Sequence, residues 1–183
     1  MNNLPNILII GKMRSGKSTI ANIIKDIYTI YTRIPLNYKQ KDLCKLFVDN
    51  KDKNRNLIYK ITKNLSNIDK YVWIKYIINK IKDNYPVILE GILNLEEYYY
   101  LINNNNKRWI IIQIKIKKDL QLKRIKNEEE KKHMNHKYEN IKLNIKYDLI
   151  IDMDFNQNLN LEDFKIHYKT ILKNEILDLQ NNR

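Results

Sequence analysis

Gly11-Lys12-Met13-Arg14-Ser15-Gly16-Lys17-Ser18, followed by Thr19, is the stretch of this chain whose residue types and spacing are best suited to chemistry. A glycine, four residues, a second glycine, then lysine and serine is the pattern of a phosphate-binding loop. The glycines let the backbone wrap closely around a phosphate chain, and inward-turned N–H groups make an anion-binding concavity. The positive end of a following helix adds to that field. In this pattern Lys17 reaches the terminal phosphates and the Ser18 hydroxyl holds a magnesium ion. The competing reading is a lysine-rich turn that contains two glycines by chance. The whole sequence has only three, Gly11, Gly16 and Gly91, so two at the required spacing argue for the loop.

The loop needs a strand before it and a helix after it. Ile7-Leu8-Ile9-Ile10 is an unbroken apolar run, the pattern of a strand buried on both faces. After the loop, Ile20, Ile23 and Ile24 fall at helical spacing, which predicts a helix from Lys17 to about Tyr28.

The 183 residues fit one domain with room for a proper core. No run approaches a membrane span, and the N-terminus lacks the apolar segment of a signal peptide. Cys44 is alone, which excludes disulfides and cysteine-based metal sites and fits a reducing, cytoplasmic setting. Against 21 Asp and Glu stand 34 Lys and Arg, a formal charge of +13. Such an excess suits polyanions, either nucleotides or a nucleic acid. The lysines are scattered, however, and solvated helix faces account for most of them. Lys, Ile, Asn and Tyr have AT-rich codons, so part of the bias reads as genome composition.

Along the chain, Ile30 to Ile34 reads as a second strand that stops at Pro35. Residues 36–67 read as mostly helical. Asp69 is placed to cap a helix whose stripe is Val72, Trp73, Tyr76, Ile77 and Ile81. Pro86-Val87-Ile88-Leu89 is another buried-strand pattern and ends in Glu90-Gly91. An acid at the carboxyl end of such a strand can sit by magnesium or an acceptor oxygen, or else cap the next helix. Leu95 to Ile102 reads as a helix, and Trp109 to Ile114 as a strand. Lys117 to Lys132 reads as a charged helix with Leu120, Leu122 and Ile125 facing inward. Arg124 stands out there, because arginine is rare in this chain and its fork suits phosphate. Asp148 to Ile151 is a final strand, and Leu159 to about Leu179 a closing helix with Leu161, Phe164, Ile171, Leu172 and Ile176 inward. Five short apolar strands alternating with helices predict a parallel sheet covered on both faces, a three-layer α/β/α sandwich.

The order of these features resembles the deoxynucleoside monophosphate kinases of viruses and phages, within the P-loop nucleoside monophosphate kinase group. The resemblance runs from the loop to about Asp154 and rests on several stretches. Lys53-Asn54-Arg55-Asn56-Leu57-Ile58 leads to Asp69-Lys70-Tyr71-Val72-Trp73, like the family's Arg-Leu-Leu stretch and its Asp-x-x-Trp helix. Val87-Ile88-Leu89-Glu90-Gly91, Lys118 to Ile125, His136-Lys137-Tyr138-Glu139 and Asp148 to Ile151 are similar to later family segments. The resemblance implies a P-loop NTPase domain over residues 1–183, with a helical acceptor region over about 36–73 and a lid over about 117–140. It implies ATP and magnesium as cofactors and a (deoxy)nucleoside monophosphate as acceptor, in a virus-infected cell's cytoplasm if the source is viral. By it, Gly11 to Thr19 bind ATP, Ser18 the metal and Arg124 the phosphates. Arg55, Trp73 and Glu90 line the acceptor pocket, and His136 and Glu139 order the lid. Core packing for Trp73, and helix surface for His136 and Glu139, are the other readings.

Two features depart from the family. Glu90-Gly91-Ile92 stands where Asp-x-Arg is usual, and Leu65-Ser66 where an arginine is usual, so two acceptor-binding cations are missing. Lys63 and Lys70 are the nearby substitutes. A kinase-derived protein that binds nucleotide or nucleic acid without turnover therefore stays open. So do a nucleoside, a coenzyme-A precursor or a polynucleotide end as acceptor, and a homodimer as the assembly.

Overall fold

The protein is described by a computed structural model, which covers residues 4–44, 46, 55–91, 94–104, 106–125, 131, 143–153 and 161–181. The elements in chain order are β1 (Asn6–Gly11), α1 (Lys17–Ile27), β2 (Thr32–Pro35), α2 (Tyr38–Cys44), α3 (Arg55–Ile68) and α4 (Val72–Asn84). Then follow β3 (Val87–Gly91), α5 (Leu95–Asn103), β4 (Trp109–Lys115), α6 (Lys118–Lys123), β5 (Leu149–Asp152) and α7 (Leu161–Asn181).

The five strands form one parallel sheet in the order β2-β3-β1-β4-β5, with Ile9 beside Glu90 on one side and Ile112 on the other. β1 is central and covered on both faces, which is why its sequence is an unbroken apolar run. Its side chains divide between two cores. Ile7 and Ile9 pack with Ile20, Ile23 and Ile24 of α1 and with Tyr168, Leu172 and Ile176 of α7. Leu8 and Ile10 pack with Ile74, Ile77, Ile78 and Ile81 of α4 and Leu101 of α5. The result is the three-layer α/β/α sandwich that the strand–helix alternation predicts. Among the described residues no helix is long and apolar enough to cross a membrane.

Several boundaries differ from the sequence expectations. β2 begins at Thr32, because Tyr31 N–H donates to the Tyr28 carbonyl in a turn that leaves Ile30 62% exposed. Pro35 lies inside β2, where an edge strand tolerates a missing N–H. Asp69 does not cap α4: the helix starts after Tyr71, and the Asp69 carboxylate instead accepts from Tyr71 N–H and pairs with Lys75. The buried stripe of α4 also includes Ile74 and Ile78, while Val72 and Tyr76 are only partly covered. In α7 Tyr168 joins Leu172 and Ile176 at four-residue spacing, and Ile171 is only partly buried. The predicted helix after β4 is seen as α6, which ends at Lys123; Arg124 and Ile125 close it with N–H bonds to Gln121 and Leu122. The inward residue of α6 is Gln121, 3% exposed, whereas Leu122 is 41% exposed.

Candidate active site

α1 leaves β1 on one face of the sheet, and α5 leaves the neighbouring β3 on the other. Strand neighbours whose connections part in this way open a crevice at their carboxyl ends, where ligands of open α/β sheets bind. Residues 12–16 stand at one lip, after β1, and Glu90-Gly91 at the other, at the end of β3.

The loop is tightly built. Ser15 N–H donates to the Lys12 carbonyl at 3.1 Å, Arg14 adopts φ 60°, and Gly16 adopts φ 101°. A Cβ on Gly11 would lie 2.7 Å from Ser15 Oγ and 2.8 Å from the Ile114 carbonyl oxygen, so only glycine fits. Gly16 meets the end of Met153, whose Cε would lie 2.5 Å from an added Cβ. α1 begins immediately after Gly16, with no side-chain cap and no acid in its first turn. Its positive end is thus left for an anion from outside. Lys17 Nζ bends back to the Gly11 carbonyl at 2.7 Å and the Lys12 carbonyl at 2.6 Å. Ser18 is exposed on the first turn; Ser15 is fully buried, and its Oγ has no hydrogen-bond partner among the described residues.

α6 braces the loop from the far side. Gln121 Nε2 donates to the Met13 carbonyl at 2.7 Å, and Arg124 Nη1 to the Arg14 carbonyl at 3.4 Å. The same Nη1 lies 3.8 Å from where a Cβ on Gly16 would be, which puts the guanidinium against the loop. Behind it the Tyr168 hydroxyl donates to the Asp152 carbonyl at 3.0 Å. Burial pushes the Tyr168 phenol up, with Asp152 adding to the shift and Arg124 opposing it.

At the β3 lip Glu90 is 6% exposed. Its Oε1 accepts from Arg33 Nε at 2.8 Å and from Arg33 Nη2, while Arg33 Nη1 donates to Asn22 Oδ1 at 2.8 Å. Glu90 Oε2 is buried with no partner among the described residues. Leu36 N–H donates to the Glu90 carbonyl at 2.9 Å, and an added Cβ on Gly91 would lie 2.8 Å from Leu36 Cβ. Gly91 is therefore needed for the close approach of β3 to the chain leaving β2.

Of the residues singled out in the sequence, Gly11 to Thr19 and Arg124 converge on one loop, and Glu90 stands at the adjacent strand end. Trp73 is 7% exposed in α4, and its indole N–H donates to Ser66 Oγ at 3.1 Å. Lys70 pairs with Glu96 at 3.1 Å, and Lys63 is exposed. Arg55 opens α3 with its side chain outside the described residues, as are His136, Glu139 and most of the 117–140 segment. Sequence reasoning missed Asn22, Arg33 and Gln121. Arg33 carried a usable signal, being one of only six arginines in the chain. A glutamine among lysines carried none.

Fold and loop together define the class: a P-loop α/β/α domain with the strand order 2-3-1-4-5. No family model and no curated protein sequence matches the chain. Solved kinases share its fold. The shikimate kinase from Acinetobacter baumannii in complex with shikimate is 15% identical, with a TM-score of 0.56, over 94% of this chain and 96% of that one. A sugar kinase from Janibacter is 10% identical, with a TM-score of 0.54, over 92% and 94% of the two chains. The Mycobacterium tuberculosis APS kinase in complex with AMPPNP and APS is 8% identical, with a TM-score of 0.52, over 94% and 99%. At these identities the likeness is one of fold.

Proposed function

We propose that this protein transfers the γ-phosphoryl group of ATP, with magnesium, to a (deoxy)nucleoside monophosphate, giving ADP and the nucleoside diphosphate. The observation that carries the reading is the meeting of two cations on one loop, Lys17 at the Gly11 and Lys12 carbonyls and Arg124 at the Arg14 carbonyl beside Gly16. Phosphoryl transfer asks little covalent chemistry of a protein; alignment and charge neutralisation do most of it. A loop that wraps a triphosphate, an ammonium at its mouth and a guanidinium from the opposite element supply those two things.

An acceptor phosphate oxygen attacks the γ-phosphorus, and the bond to the bridging β–γ oxygen breaks with its electrons left on ADP. Lys17, released from the Gly11 and Lys12 carbonyls, balances charge on the β- and γ-phosphates. Arg124 balances charge on the transferred group. The Ser18 hydroxyl and the Glu90 oxygen that has no partner among the described residues are hard oxygen donors of the kind magnesium takes, and would hold it there. When bound, magnesium neutralises the phosphate oxygens and orients them. The acceptor docks toward β3 and the helices of residues 36–73.

The test is ADP production from ATP and magnesium with each nucleoside and deoxynucleoside monophosphate supplied separately. Stimulation by one or two of them is expected. Stimulation only by nucleosides or other hydroxyl compounds would replace the acceptor. None at all, with ATP tightly bound, would replace the enzyme with a binding protein.

A further inference from the structure

The Arg33–Glu90 pair is not arranged as an ion pair that serves stability alone would be. Arginine and carboxylate usually meet fork to fork, two N–H groups on two oxygens, which satisfies both partners. Here Nε and Nη2 of Arg33 both converge on Oε1, and Nη1 is spent on Asn22 of α1. One carboxylate oxygen is saturated, and the other, Oε2, is buried without a partner among the described residues. Buried polar atoms are nearly always hydrogen-bonded, so one left over at the mouth of a ligand crevice marks a partner that arrives with the ligand.

The neighbours of the pair indicate which partner. Asn22 is four residues after Ser18, so the two lie one turn apart on the same side of α1. Hydrogen bonds link Asn22, Arg33 and Glu90 from α1 to the end of β3, and Ser18 stands one turn before Asn22 in the first turn of α1. We infer that Arg33 is a positioning residue: it locks Glu90 through Oε1 so that Oε2 is presented to the water shell of the nucleotide-bound magnesium. The inference rests on the proposed function for the presence of nucleotide and metal, and adds a role for a residue that contacts neither. Arg33 is suited to it because it makes three hydrogen bonds to two acceptor atoms, Glu90 Oε1 and Asn22 Oδ1, from a strand; lysine could not hold two N–H groups on one oxygen in a fixed plane.

The test uses the full chain and reads binding. The affinity of AMPPNP is measured by calorimetry with magnesium and with EDTA, and the ratio of the two is the magnesium enhancement. In the unaltered protein magnesium is expected to tighten binding. Arg33→Met is expected to cut the enhancement roughly tenfold, as loss of a group that orients a metal's partners typically does. Affinity in EDTA should stay unchanged. Glu90→Gln should show the same loss, and the double variant no more than either single one. Should Arg33→Met fail to fold, Arg33→Lys and Asn22→Ala carry the test, each with a smaller loss in the same direction. An enhancement unchanged in these variants, or losses that add in the double variant, overturns the positioning role while leaving the proposed function standing. No AMPPNP binding by the unaltered protein would overturn both.

Discussion

Arg124 and Gly16, far apart in sequence, stand side by side: Arg124 Nη1 lies 3.8 Å from the position of a Cβ on Gly16 and donates to the carbonyl of Arg14 at 3.4 Å. A guanidinium from the end of α6 thus stands against the same loop whose Gly11 and Lys12 carbonyls accept from Lys17. Arg124→Ala is expected to lower turnover by about 100-fold, while weakening ATP binding much less, because in the proposed transfer the charge it would balance develops on the transferred group. Steady-state kinetics with an AMPPNP binding curve separates the two. Unchanged turnover would make Arg124 a brace for the loop alone.

Lys17→Ala removes an ammonium bonded to both the Gly11 and Lys12 carbonyls. Transfer should fall by at least about 100-fold, the scale typical for loss of a preorganised charge donor. The thermal midpoint should barely move, since Lys17 is only partly buried and belongs to neither core. Near-normal ADP production in this variant would remove the loop from the mechanism.

Gly16→Ala meets two separable obstacles. The left-handed φ of 101° costs any L-residue about 1–2 kcal/mol, and the new methyl runs into Met153 Cε. Met153 is a flexible side chain, so Met153→Ala in the Gly16→Ala background should recover the steric part of the lost stability and none of the backbone part. Chemical denaturation of the single and double variants measures both. Full recovery would show that the backbone conformation costs nothing at this position.

Glu97 reports on α5. Its carboxylate accepts from Asn94 N–H at 3.1 Å, and the Asn94 side chain accepts from Glu97 N–H at 2.8 Å. Burial pushes the Glu97 carboxyl up; the Asn94 bond pulls the other way, and Glu96 adds to the rise. A carboxyl raised in the folded state favours folding fully below its unfolded value of 4.5 and loses that contribution as pH climbs through the folded value. Glu97→Gln keeps an acceptor for Asn94, so it should flatten this part of the pH dependence of thermal stability without unfolding α5. A slope identical to the unaltered protein would rule out Glu97 as its source.

The sequence by itself determined what depends on near neighbours. The loop is legible because its chemistry needs fixed residue types within eight positions. β1, β3 and β4 are legible because strands buried on both faces must be apolar throughout, and α1 because Ile20, Ile23 and Ile24 repeat at the helical period. With these came the layer architecture and the position of the candidate site. Only the tertiary structure decided the strand order, which depends on which crossovers pack, and with it every contact between distant residues. Arg33 meets Glu90 across 57 positions because β2 lies beside β3; Gln121 and Arg124 reach the loop across 108 and 110 because β4 pairs with β1 and delivers α6 to its end. No local period encodes such a meeting. Burial shows the same limit: Gln121 turns inward and Leu122 outward because the Met13 carbonyl on the loop offers a hydrogen bond that only the fold places within reach.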